Sequence, residues 1–257
     1  MIPHAKKLFI LTLVLLAVLA SSFGEGQGGE LVSVSVLRII DGDTMEISGG
    51  DRVRLLGIDA PERGDPLSVS ATDLLRELTA SRSITLEICE DRDIYGRILA
   101  TVRAEKVNVN RILLREGMAF PMLIPPCGRP VAVDVLKAAA RGALSGKGIY
   151  SLKGYGIISQ IEAGDHIGEH AMVKGKILEL HRGRKAWHFN FGPDWKTDFT
   201  AVLFRDGMQR FSDLGIDPAD LVGSEVLVIG KVKRYNGPEI IIHGPDQILP
   251  IYKIQDP

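Results

Sequence analysis

Two stretches of this chain repeat one order of patterns: three short alternating strands, one helix, then two more strands. In the first stretch Val32, Val34 and Val36 alternate with Ser33 and Ser35, the mark of a half-buried strand. Met45–Ile47 and Arg52–Leu56 follow, joined by the turn signal Ser48-Gly49-Gly50-Asp51. Leu67, Ala71, Leu74, Leu75 and Leu78 then fall on one face of a helix over about 67–78. Strands are expected at Ile84–Ile88 and Arg97–Arg103, and helices at Val109–Glu116 and Val131–Leu144. Asn108 suits an N-cap and Gly117 a helix stop. The second stretch reads as strands at Val173–Leu180, Trp187–Phe191 and Phe199–Phe204, then a helix around Met208, Phe211 and Leu214. Glu225–Lys233 and Glu239–His243 close it as a hairpin about Asn236-Gly237, a strong turn dipeptide.

Five strands with a helix between the third and fourth is the OB-fold order, a small Greek-key barrel. The expected fold class is therefore mainly β with α (α+β). It comprises an OB-fold five-stranded barrel with appended helices over 31–152, and a second OB-fold-like barrel over 169–251. Gly-bearing residues 153–168 read as a linker, and the second barrel is expected to fold by itself. Hydrophobic residues make up 45% and charged residues 25%, so both barrels have material for a core.

The net charge is −1, which excludes a global basic field as the means of holding a polyanion. Residues 30–152 carry 16 basic against 17 acidic side chains, and residues 165–257 carry 12 against 13. His4-Ala5-Lys6-Lys7 and the apolar run Leu8–Ala20, followed by Ser21 and Ser22, match a signal peptide over residues 1–22. Export to the periplasm or the medium is expected, with no stable membrane anchor after cleavage. Cys89 and Cys127 are the two cysteines, and an exported chain can keep either one disulfide or two thiols. Without a Cys/His cluster, a zinc site is not expected.

The chemistry concentrates between Ile40 and Glu62. Asp41, Asp43, Asp59 and Glu62 surround one arginine, Arg54. Crowded carboxylates raise one another's pKa, so a bound cation or a fixed guanidinium must hold them ionised. Hard oxygen ligands on short turns suit Ca²⁺ or Mg²⁺. An arginine beside such a centre suits a phosphate, which takes a guanidinium bidentately. The alternative is an acidic surface loop with a salt-bridged arginine.

Asp41-Gly-Asp-Thr44, Arg54-Leu-Leu-Gly-Ile-Asp-Ala-Pro-Glu62 and Asp93-Ile-Tyr-Gly-Arg97 together resemble the thermonuclease (staphylococcal nuclease-like) family. Asn108–Ala119 and Leu136–Ser151 extend the resemblance in the same order. It implies a nuclease that hydrolyses phosphodiester bonds of DNA or RNA, single strands favoured, with Ca²⁺ as cofactor. Residue by residue, it implies that Asp43 and Asp59 hold the metal with the Thr44 backbone carbonyl, and that Asp41 stands behind them. Glu62 is implied as general base, Arg54 and Arg97 as stabilisers of the transition state, and Tyr95 as a substrate contact. Arg97 has a second reading, an ion pair with Asp91 or Asp93. Ile94 stands where the family's best-known member has a lysine, and Phe120–Pro126 lacks that member's two tyrosines. Base and terminal-phosphate contacts are therefore not carried over. The alternative function is a nuclease-like barrel without catalysis, acting as a nucleic-acid- or protein-binding scaffold.

In the second barrel His181-Arg-Gly-Arg-Lys185 lies between the first two strands, where OB-folds bind ligands. Arg182, Arg184 and Lys185 are its candidate nucleic-acid contacts. Trp187 and Phe189 are either stacking platforms for bases or part of an alternating core row.

Overall fold

The computed structural model describes residues 30–123, 126–152 and 155–254. The expected signal peptide lies outside them. Barrel one contains β1 (Glu30–Val34), β2 (Val36–Ile39), β3 (Thr44–Ile47), β4 (Arg52–Leu55) and β5 (Ile58–Asp59). After α1 (Ser68–Thr79) come β6 (Ile84–Arg92), β7 (Ile98–Ala104) and β8 (Val107–Asn108), then α2 (Val109–Arg115), β9 (Phe120–Pro121) and α3 (Gly128–Leu144). The sheet order is β1-β6-β7-β4-β3-β2. Its two ends are halves of one strand, bent at Ser35: β1 pairs with β6 and β2 with β3. The sheet thereby closes on itself. The Val/Ser alternation runs unbroken through Ser35, so the sequence carries no sign of that bend.

The second barrel contains β10 (Ile157–Ser159), β11 (His170–Lys176), β12 (Glu179–Arg182), β13 (Ala186–Asn190) and β14 (Thr200–Phe204). It continues through α4 (Arg205–Asp213), β15 (Glu225–Tyr235), β16 (Gly237–Ile242), β17 (Ile248–Pro250) and α5 (Ile251–Ile254). Its order is β10-β11-β15-β16-β14-β13-β12. Consecutive β11 and β12 again pair with opposite ends of the sheet, β15 and β13. In each barrel the third strand pairs in parallel with the fifth: β4 with β7, and β14 with β16. The two barrels thus repeat one OB-fold topology. Asn236 makes the expected turn with φ 61, and Tyr235 pairs directly with Gly237.

The structure adds two features to that division. The connector is structured, because β10 pairs in parallel with β11 and a 3-10 turn over Glu162–His166 follows it. The barrels also share an interior. Met172, Leu227, Ile229, Leu249, Ile251 and Ile254 belong to one buried cluster with Leu55, Leu75, Leu113 and the apolar face of α3. At ~1.5–3 kcal/mol per buried aliphatic side chain, those six contribute on the order of 10 kcal/mol before chain entropy is counted. The second barrel is therefore not expected to be stable alone.

α3 mediates the junction. Ala132, Val135, Leu136, Ala138, Ala139, Ala140 and Ala143 are buried on several of its sides. Small residues let it sit close to its neighbours. A Cβ at Gly142 would lie 2.5 Å from the Leu114 carbonyl of α2. Arg141 donates through Nε to the Ile254 carbonyl at 2.7 Å, tying α3 to α5. Cys89 and Cys127 form a disulfide, Cα–Cα 5.9 Å, which fastens the N-terminal end of α3 to β6. It covers Leu56 and Leu99 on the outside of the barrel.

Candidate active site

The candidate site lies where β2–β3, β4 and β7 meet. Thr44 pairs with Arg54, and Arg54 with Leu99. Directly paired residues share a side of a sheet, and so do residues two apart on one strand. Arg54 and Leu99 therefore leave the sheet on the same side, and Arg97 stands in the loop just before β7.

Arg54 is only 8% exposed. Its Nη1 lies 2.7 Å from Asp43 Oδ2 and donates to the Ile58 carbonyl at 2.9 Å. Its Nη2 donates to Asp59 Oδ1 at 2.8 Å. One planar fork thus spans two carboxylates and a carbonyl, a geometry lysine lacks. Asp43 is buried as well. Its Oδ2 accepts from Ala60 N at 2.6 Å and its Oδ1 from Thr44 Oγ1 at 3.0 Å. Burial pushes its carboxyl up to about 6, and Arg54 and the Ala60 hydrogen bond only partly offset this; the charge of Asp41 adds to the rise. Asp41 Oδ1 accepts from Asp43 N at 3.1 Å and so holds the turn. Gly42 sits there for lack of room: a Cβ would come within 2.6 Å of the Ala60 Cβ and 2.7 Å of the Ala71 Cβ.

Arg97 has its ion pair with Asp93, Nε to Oδ2 at 2.6 Å. Asp93 Oδ1 also accepts from the backbone N of Arg97 and of Tyr95. Burial raises the Asp93 carboxyl, but these bonds and the Arg97 charge outweigh it and hold it below the ordinary value. Asp93 is thus the residue that orients Arg97. Tyr95 is largely exposed, with the Arg97 guanidinium 5.4 Å from its ring centroid. Glu62 is exposed on the turn after Asp59, where its carbonyl accepts from Asp65 N.

The Thr44 carbonyl faces the turn before it. It accepts from Ile40 N at 2.9 Å and Asp41 N at 3.3 Å, closing the turn that carries Asp41 and Asp43. The same carbonyl therefore sits at the centre of the turn that presents both carboxylates. Asn110 was not foreseen. It is buried, accepts from Val102 N at 2.9 Å and donates to the Leu56 carbonyl at 2.8 Å, bracing the end of β4 against β7. The signal for it is an asparagine within a helix, a poor helix former unless its amide is used.

The donor chemistry fits a hard cation. Asp41, Asp43 and Asp59 offer oxygen alone, and the partly neutralised charge on buried Asp43 is one a cation would satisfy. The fit is of ligand type only. Among the described residues no three His, Cys, Asp or Glu side chains form a ready metal cluster, and Arg54 holds one oxygen of each of Asp43 and Asp59.

Residues 52–147 match the family described as Staphylococcal nuclease homologue. Over that segment the chain is similar to the staphylococcal nuclease-like family. An uncharacterized endonuclease of Escherichia coli is 39% identical over 89 residues, covering 33% of this chain and 58% of that protein. The micrococcal nuclease of Shigella flexneri is 36% identical over 97 residues, covering 33% and 55%. The thermonuclease of Staphylococcus intermedius is 36% identical over 104 residues, covering 37% and 62%. The chain thus spans little more than half the length of these curated relatives.

In the second barrel the aromatic row is mainly core. Phe189 and Phe191 are buried and cannot stack on bases. Trp187 packs against the same cluster, with Arg182 5.0 Å above its ring. Arg182 also pairs with Asp217 at 3.3 Å. Arg184 and Lys185 are exposed on the turn between β12 and β13.

Proposed function

We propose that this chain is an exported, Ca²⁺-dependent nuclease that hydrolyses phosphodiester bonds in single-stranded DNA or RNA. The observation that carries the reading is the nearly buried Arg54 fork between Asp43 and Asp59, in a domain whose relatives are named nucleases. A buried cation among carboxylates is costly to maintain, and an anionic substrate gives it a use. Asp43 and Asp59 with the Thr44 carbonyl, and Asp41 behind them, would hold the ion. When bound, Ca²⁺ supplies Lewis-acid neutralisation of the phosphodiester charge. Arg54 and Arg97 then hold the non-bridging oxygens and stabilise the charge that builds as water adds, usually the largest catalytic effect. Asp93 fixes the Arg97 fork through its Nε, leaving both Nη groups for phosphate. Glu62 takes the proton of the attacking water, which its exposure on the turn permits. Tyr95 guards the Arg97 side. Arg184 and Lys185, with Arg182, add local phosphate contacts to a chain without bulk positive charge. The disulfide supports export, because such bonds persist in oxidising compartments.

The test is the kinetics of Glu62→Gln and Arg97→Lys on one oligonucleotide. Each should lose on the order of 10²-fold in kcat with the unfolding midpoint kept. A near-native kcat with only a raised KM makes that residue a binding contact. Native protein that cleaves nothing under any condition favours the scaffold reading.

A further inference from the structure

A cleft of about 990 Å³ opens between the two barrels, and the reaction chemistry above makes no use of it. Its floor is apolar, with Leu136, Met172 and Ile229 among its lining. Three aromatic rings run along one wall. Phe120 meets Tyr150 edge-on at 6.1 Å and lies 5.4 Å from Tyr155, tilted 35°. Tyr155 is 53% exposed, so one ring face is open to a ligand. Tyr150 is 6% exposed, and its hydroxyl has no hydrogen-bond partner among the described residues. Burial pushes its pKa above the ordinary phenol value, so it stays a neutral donor. A buried hydroxyl without a partner is rare in native structures and calls for an explanation.

Two further observations say what fits. Phe120 pairs directly with Asp59 in the β5–β9 ladder, so one strand pairing links the aromatic wall to the strand that carries Asp59. Arg129 is exposed in the first turn of the 17-residue helix α3, whose N-terminal N–H groups add positive potential at the cleft mouth. The acids on the rim are mostly satisfied: Glu169 pairs with His166 and Asp246 with Arg210. Asp206 remains as a carboxylate acceptor on the far side.

We propose that this cleft binds unpaired nucleotides of the substrate strand next to the scissile phosphate. A base stacks on Tyr155, the Tyr150 hydroxyl donates to a base acceptor, and Arg129 holds a phosphate. The volume is at the upper end of the ~300–1,000 Å³ of ligand pockets, room for more than one nucleotide. Duplex DNA keeps its bases stacked and cannot offer them here. The proposal rests on the nuclease reading, and its test separates the two.

Binding is read by fluorescence anisotropy of the full chain with a labelled oligothymidylate of about 12 nucleotides, in chelator. Tyr155→Ala should raise Kd about 10-fold, the loss expected for one stacked base. Tyr150→Phe should raise Kd several-fold while the unfolding midpoint holds or rises, since a buried unpaired hydroxyl is removed; a merely structural tyrosine would leave Kd unmoved. Arg129→Ala should weaken binding and flatten its salt dependence. Native protein that does not bind, or tyrosine variants within twofold of native, would overturn the cleft. Tyrosine-dependent binding by native protein that cleaves nothing with Ca²⁺ would sustain the cleft and overturn the nuclease reading. Ca²⁺-dependent cleavage with tyrosine-independent binding would do the reverse.

Discussion

Removing the Cys89–Cys127 bond should cost the fold about 4 kcal/mol. The bridge joins residues 38 apart. The chain-entropy cost of closing a loop of that size in the unfolded state comes to about 4 kcal/mol at 25 °C. In a protein of this size each kcal/mol moves the midpoint by roughly 2–4 °C, so the fall should be roughly 8–16 °C. Local packing adds to it, because Cys127 is buried against Leu56 and Leu99. The assay is calorimetry on the full chain, oxidised and with reductant, beside the Cys89→Ala/Cys127→Ala variant. Reduced protein and variant should melt together, well below the oxidised protein. A double variant that melts within ~2 °C of the oxidised protein would refute the reasoning, since the bridge would then restrict nothing the unfolded chain explores. The bond also anchors β6 within its register shift between Ile88 and Arg92, ahead of the loop carrying Asp93 and Arg97.

Other outcomes follow from the site and the shared core. In chelator, Asp43 with its carboxyl raised from 3.8 to about 6 keeps its proton in the folded state while the unfolded chain releases it. The folded state then binds more protons across that window, so stability falls as pH rises from about 4 to about 6.5, by roughly 3 kcal/mol. Unfolding midpoints against pH should show this slope, Ca²⁺ should reduce it, and Asp43→Asn should abolish it; an unchanged slope in that variant would mean another group is responsible. A fragment of residues 165–257 exposes Met172, Leu227, Ile229, Leu249, Ile251 and Ile254, and should lack a cooperative urea transition. A sharp transition in that fragment would show that the shared core is dispensable to the second barrel.

Local pattern carried much of this fold into the sequence. Alternation marks strands because the side-chain period of two is local, and Ala71, Leu75 and their neighbours mark α1 because a helix face is local. The bend at Ser35 left no trace, since its cause is pairing with β6 on one side and β3 on the other. The shared core was equally hidden. Met172 and Ile229 lie on strands of the second barrel, and only the packing of α3 and α5 shows which interior they enter. At the site, Arg54 among carboxylates was legible because the charges are close in sequence. The hydrogen bonds that the Thr44 carbonyl accepts were not, because backbone acceptors look alike until the turn is built. The disulfide needed a Cα–Cα distance that no spacing supplies. Tyr150 ends a block of the resemblance to which no chemistry was assigned and Tyr155 lies beyond it, and only the approach of the second barrel gives them a common cleft.

The most direct measurement is digestion of a labelled single-stranded oligonucleotide by the purified full chain, with Ca²⁺ and with excess chelator. Fragments that accumulate with Ca²⁺, and stop when it is removed, are the predicted result. Cleavage that continues unchanged in chelator, or that returns only with zinc, would contradict the oxygen-ligand centre of Asp43 and Asp59 on which the account rests.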